Sequence, residues 1–224
     1  MPPRGARECH NPMSDFLNQI TGSAPLIFSF LLAMTCHEAA HAFVADHLGD
    51  ATPRLSGRLT LNPLAHLDLL GTIAILFAPI GWAKPVPVNP GNFRNPRWDL
   101  LKVGAAGPAV NLLLAAVMAV AFRTLADVRL TGASPSVERA FLFAVLVAQS
   151  GVLVNLGLAI FNMIPIPPLD GSKVLAAFLP PRAGMAFDRF EPYGPILLIV
   201  LIFSGALGHT LVPVMRAAAM AMVG

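Results

Sequence analysis

APLIFSFLLAMTCHEAAHAFVA, residues 24–45, is the stretch that decides how the rest of the chain is read. It sets one carboxylate, Glu38, and two histidines, His37 and His41, in a background of Leu, Ile, Phe, Val and Ala. As a helix rising 1.5 Å per residue it reaches about 33 Å, enough to cross the hydrocarbon core of a bilayer. Ionisable side chains inside such a span are costly in lipid, and they mark functional sites by default.

Composition agrees with a membrane setting. Of 224 residues, 55% are hydrophobic and 12% charged, about half the charged share of a soluble domain. The mean hydropathy is +0.67. The 15 Lys and Arg against 12 Asp and Glu leave a net charge of +3, with the basic residues scattered between apolar runs. That scatter excludes a nucleic-acid footprint. Cys9 and Cys36 fall in a polar leader and an apolar span, so neither a disulfide framework nor a cysteine metal site can be built.

After residue 45 comes a turn-rich stretch, 46–68, broken by Gly49, Pro53, Gly57 and Asn62-Pro63. Residues 69–82 are apolar but too few for a confident span, which suits a re-entrant or interfacial segment. In Pro85-Val86-Pro87-Val88-Asn89-Pro90 the prolines enforce extended backbone, and the stretch reads as a short edge strand or rim loop. Residues 103–122, 140–164 and 195–215 are further spans. Gly205, Gly208 and Pro213 leave a break open in the last. A short helix is expected over 172–179, stopped by Pro180-Pro181. The sequence thus predicts an all-α polytopic membrane protein with about four to five transmembrane helices, a re-entrant segment and a short β-like loop. Its organisation reads as a polar leader over 1–23, one transmembrane domain over 24–215 and a short tail over 216–224.

His37 and His41 stand at i and i+4, which puts both imidazoles on one helix face and lets them share a zinc ion, with Glu38 beside it. A catalytic zinc takes three protein ligands and keeps one position open. By elimination the third is Asp170, in Pro165-Ile166-Pro167-Pro168-Leu169-Asp170-Gly171. Prolines forbid a regular helix there, and unwound backbone at membrane depth is tolerated only where protein or water lines it. Taken alone, Asp170 also fits an ordinary turn aspartate before glycine.

With these residues in place, the sequence resembles the site-two protease family of intramembrane zinc metalloproteases. His37-Glu38-Ala39-Ala40-His41 and Asn162-Met163-Ile164-Pro165-Ile166-Pro167-Pro168-Leu169-Asp170-Gly171 match both halves of its signature. Gly107-Pro108-Ala109-Val110-Asn111 matches its G-P-x-x-N on the middle span, and the stretches 57–63 and 83–90 look like its loop region. The resemblance implies one Zn2+ held by His37, His41 and Asp170, with Glu38 as catalytic base and Asn162 holding the substrate backbone or the oxyanion. It implies a transmembrane protein as substrate. His47, His66 and His209 have no place in that site and read as surface or turn residues.

Parity gives a separate check. If residues 69–82 dip in and return, the spans from 103 and 140 bring Asp170 to the face where the first helix ends. Arg54, Arg58, Lys84, Arg94, Arg97, Lys102, Lys173, Arg182 and Arg189 then lie on the active-site face, against Arg4, Arg7, Arg123, Arg129, Arg139 and Arg216 on the other. The excess of positive charge places the site near the cytoplasmic face, most simply of a plasma membrane. A membrane zinc transporter would need ligands across the bilayer, and a proteolytically inactive binding homologue would be expected to lack Glu38 or a ligand. No regulatory domain is visible between spans, so control falls to a partner protein, lipid or homo-oligomer.

Overall fold

The computed structural model describes residues 12–68, 71 and 83–224, with side chains from Gly22 onward. The expected re-entrant segment, 69–82, lies outside the described residues apart from Gly71. Helix α1 runs over Pro12–His47, so it begins inside the leader. It ends in a tight reversal: Asp50 N–H donates to Ala45 O at 2.9 Å and Gly49 N–H to Asp46 O at 3.1 Å. Gly49 takes φ +108°, a conformation that costs glycine alone no Cβ clash.

A compact connection follows, with α2 at Thr52–Leu55 and 3-10 turns at Pro63–Ala65 and Pro90–Asn92. Leu67 and Ala83 form an isolated antiparallel bridge, and Lys84 N–H donates to His66 O at 2.8 Å. Among the described residues there is no strand. Of the two readings of 85–90, edge strand or rim loop, the structure takes the loop, because three of its six residues are prolines with no N–H to give a ladder.

Helices α3 (Pro96–Ala126) and α4 (Pro135–Asn162) are long neighbours of α1: α3 runs antiparallel to it, with His41 at Val103 and His37 at Asn111, and α4 runs parallel to it, with Ser29 at Ser150. Both open on proline at the first helical position, where its missing N–H costs nothing. Short helices α5 (Asp170–Ala176) and α6 (Pro181–Phe190) follow on the side where α1 ends. The last apolar stretch is broken: α7 covers Gly194–Phe203 and α8 covers Ala206–Val223. The break falls at Gly205, with φ +75°. Pro213 sits inside α8 without ending it, and residues 216–223 continue that helix. Among the described residues, four helical segments are long and apolar enough to cross a membrane: Gly22–His47, Pro96–Ala126, Pro135–Asn162 and Ala206–Val223.

The distribution of side chains fits lipid rather than water. Small residues fill the contacts among α1, α3 and α4, with Ala33, Ala42, Ala115, Ala119, Ala148 and Ala159 buried. Leu26, Phe28, Leu113, Val120, Leu142 and Leu153 point outward. Small residues allow close helix approach where no hydrophobic force drives helices together, and polar side chains then tie them. Ser29 Oγ donates to Pro25 O at 2.8 Å and lies 2.9 Å from Ser150 Oγ on α4. Asn111 on α3 donates to Asn155 Oδ1 on α4 at 2.8 Å and to Ala33 O on α1 at 3.2 Å.

Candidate metal centre

One helical turn separates His37 from His41 on α1, and their rings meet edge to face with centroids 4.6 Å apart. Each ring is fixed through Nδ1 by α3. His41 Nδ1 is 2.6 Å from Val103 O, and His37 Nδ1 is 2.5 Å from Asn111 Oδ1. A backbone carbonyl only accepts, so His41 Nδ1 carries the proton. Asn111 is oriented by its two Nδ2 donations, which leaves its oxygen to accept from His37 Nδ1. In a neutral imidazole, a proton on Nδ1 leaves Nε2 with its lone pair, and both Nε2 atoms face inward.

Those lone pairs face a carboxylate. Asp170 Oδ2 lies 3.1 Å from His37 Nε2 and 3.0 Å from His41 Nε2, and the two Nε2 atoms are 3.0 Å apart. All three residues are buried. Three acceptors converge on one point, and only a positive charge can hold them there. A tetrahedral zinc with bonds of about 2.0–2.1 Å has ligand-to-ligand edges of about 3.3 Å, so the donor set and its spacing fit that ion. On the far side of Asp170, burial raises the carboxyl and the Lys173 ammonium lowers it. Lys173 Nζ reaches the other oxygen, Oδ1, at 3.0 Å.

Space for the rings comes from α3. A Cβ on Gly107 would stand 2.5 Å from both His37 Cε1 and His41 Nε2. The opposite wall comes from the turns between α4 and α5, where Gly171 packs against the backbone of Met163 and Ile164. A pocket of about 130 Å3 opens over these three side chains, and Glu38, Asn162, Pro85, Val86 and Val88 also line it. Glu38 makes no hydrogen bond or ion pair among the described residues, so its carboxylate is free to accept a proton. Asn162 gives one amide hydrogen to Leu158 O at 3.0 Å, leaving its oxygen and second N–H.

All five residues singled out from the sequence thus share one pocket. His47 and His209 are exposed, as anticipated. His66 is not: it is fully buried under its loop, with Nε2 2.9 Å from Thr60 O. Sequence reasoning missed Asn155, Lys173 and the Val103 carbonyl, and it gave Gly107 and Asn111 no task. The i, i+4 spacing of Gly107 and Asn111 was the available signal, since it sets the gap and the imidazole acceptor on one face of α3.

No family model matches the chain, and no solved structure matches it. Curated relatives do. Over 195 residues the chain is 37% identical to "Putative zinc metalloprotease YwhC" of Bacillus subtilis, covering 86% of each. It is 31% identical over 190 residues to "Putative zinc metalloprotease Rip2" of Mycobacterium tuberculosis, covering 81% of this chain and 68% of that one. With "Putative zinc metalloprotease Rip3" of the same species it shares 30% over 190 residues, 82% of this chain and 38% of the longer relative.

Proposed function

This chain belongs to the site-two protease family of membrane zinc metalloproteases, and from that premise we propose that it hydrolyses peptide bonds in or beside the transmembrane segments of membrane proteins. The observation that carries the reading is the meeting of two imidazole nitrogens and a carboxylate oxygen in a pocket that the free carboxylate of Glu38 also lines. His37, His41 and Asp170 would hold one zinc. When bound, zinc supplies a Lewis acid that brings the pKa of water to about 7 and polarises a carbonyl.

The other tasks fall to side chains. Glu38 takes a proton from the attacking water and returns it to the leaving amine. Asn162 offers its free N–H to the scissile carbonyl, where negative charge builds as the tetrahedral centre forms. Lys173 steadies Asp170 from the far oxygen, and Asn111 fixes the tautomer of His37; such partners commonly tune metal affinity 10–100-fold. A helical substrate hides its carbonyls in hydrogen bonds, so it must open locally, which Gly or Pro in its span makes easier. The loop 85–90, whose Val86 and Val88 wall the pocket, is the edge along which the opened strand would lie. The nine-to-six excess of Lys and Arg on the active-site face supports a position of the pocket near the cytoplasmic face of a cell membrane.

Cleavage of a tagged single-span substrate in liposomes tests this, comparing the wild type with Glu38→Gln and Asp170→Ala and measuring zinc in each. The expected result is cleavage by the wild type alone, full zinc in Glu38→Gln and reduced zinc in Asp170→Ala. Equal zinc in all three would remove Asp170 from the ligand set. Unimpaired cleavage by Glu38→Gln would remove the proposed base.

A further inference from the structure

We propose that a second groove, beside the catalytic pocket, selects a basic side chain in the substrate segment flanking the scissile bond, and that Asp188 and Glu191 are the groups that read it; the proposal rests on the proteolytic reading above. The groove has a volume of about 470 Å3, within the range of sites that enclose a ligand. It lies between the loop 85–90 and helices α5 and α6. Val86, Val88 and Lys173 line both it and the pocket over the metal ligands. A peptide lying along Val86 and Val88 therefore passes from one into the other.

Four charged side chains line the groove: Arg97, Lys173, Asp188 and Glu191. The cations are engaged. Arg97 donates to Ala177 O at 2.7 Å and to Leu179 O at 3.0 Å, closing the end of α5. Lys173 is held by Asp170. The anions are open, since neither Asp188 nor Glu191 makes a hydrogen bond or ion pair among the described residues. They stand three residues apart at the end of α6, on one face. Arg182 and Arg189 on the same helix do not line the groove. The charge left to a ligand is thus two carboxylates within an otherwise mostly apolar wall that runs from the catalytic pocket.

Lys and Arg concentrate in the short segments flanking the cytoplasmic ends of membrane helices. A substrate span unwound at the pocket would carry such a flank into the groove, where its side chain meets Asp188 and Glu191. These contacts lie away from the reacting atoms and act equally in ground and transition states, so they should lower KM and leave kcat unchanged.

The test uses the full chain in phosphatidylcholine liposomes and three versions of one single-span substrate, with Lys-Lys, Ala-Ala or Glu-Glu in the flank. The wild type should cleave the Lys-Lys form about tenfold better than the Glu-Glu form, the difference lying in KM. Asp188→Ala with Glu191→Ala should reduce that preference to about twofold, and Asp188→Lys with Glu191→Lys should reverse it. All three enzymes should cleave the Ala-Ala form within about twofold of one another, which confirms that they fold. A binding measurement stands apart from turnover: fluorescence titration of the labelled substrates into Glu38→Gln liposomes, with and without the Asp188 and Glu191 changes, should give Kd values in the same order. If that order appears and nothing is cleaved, the groove assignment stands and the proteolytic reading falls. A Lys-Lys preference that survives charge reversal in both rate and Kd overturns the proposal, as does the absence of any flank preference.

Discussion

The two histidines reach the candidate metal centre from the last third of an unbroken helix, whereas the aspartate reaches it from a chain of turns, and the two halves are held by different means. His37 and His41 owe their relation to helical periodicity, and α3 fixes each ring through one hydrogen bond. Asp170 follows Pro165, Pro167 and Pro168, where Ile166 N–H donates to Ile164 O and Leu169 N–H to Ile166 O in place of a helical ladder. Its loop is wedged by backbone on backbone: Gly171 lies against Met163, and Gly194, at the start of α7, against the carbonyl of Pro167. A helix carries its own geometry. A proline-rich loop takes its geometry from what presses on it.

Methyl groups added at the two glycine contacts separate these constructions. Gly107→Ala should have the larger effect, because its Cβ falls 2.5 Å from both imidazoles and neither ring can move without losing its Nδ1 partner. Zinc measured after gel filtration should fall well below one per chain, and cleavage should fall by about 100-fold or more, the cost of misplacing reacting groups by about 1 Å. Bound zinc and cleavage within twofold of the wild type would show that the rings do not need that gap. Gly194→Ala strikes the aspartate half from 24 residues away in sequence. The loop can shift as a body, so zinc affinity measured by chelator competition should weaken by about tenfold, with the Nδ1 bonds to α3 intact. An unchanged affinity would mean that α7 does not position Asp170.

The same contrast governs what the sequence made legible. The spacing His37-x-x-x-His41 is local, so the face it occupies follows from α-helical geometry. Asp170 came by elimination and by resemblance, because no periodicity ties residue 170 to residue 37. Asn111 and Gly107 matched a motif, but their tasks exist only once α3 lies against α1. His66 reads as a surface histidine in a turn-rich stretch, yet its loop folds over it, with Arg58 donating to the Ala65 carbonyl. The last apolar stretch offered Gly205, Gly208 and Pro213 as breaking points. Only Gly205 takes a left-handed backbone, while Pro213 rides inside α8, since membrane helices tolerate proline where neighbours satisfy the freed backbone groups.

A third region, the rim, joins the two halves, and strong acid should loosen it. Just past the end of α1, Asp50 Oδ1 accepts from Thr52 N–H at 3.1 Å, Thr52 Oγ1 at 2.5 Å and Asn92 Nδ2 at 2.7 Å, while Oδ2 accepts from Asn89 N–H at 2.7 Å. One carboxylate thereby pins the loop that lines the pocket to the helix that carries the histidines. Burial opposes its charge, but the donors from Thr52, Asn92 and Asn89 outweigh that and lower its pKa. A depressed carboxyl stabilises the fold above its unfolded pKa of about 4 and loses that contribution as the pH falls through the lower folded value. Asp50→Asn keeps the shape but turns an amide N–H toward one of the donors. It should cost about 1–2 kcal/mol at pH 7, a drop of a few degrees in Tm in detergent, and the gap to the wild type should close below about pH 4. A gap that persists unchanged down to pH 3 would show that the charge of Asp50 is not what ties the rim to α1.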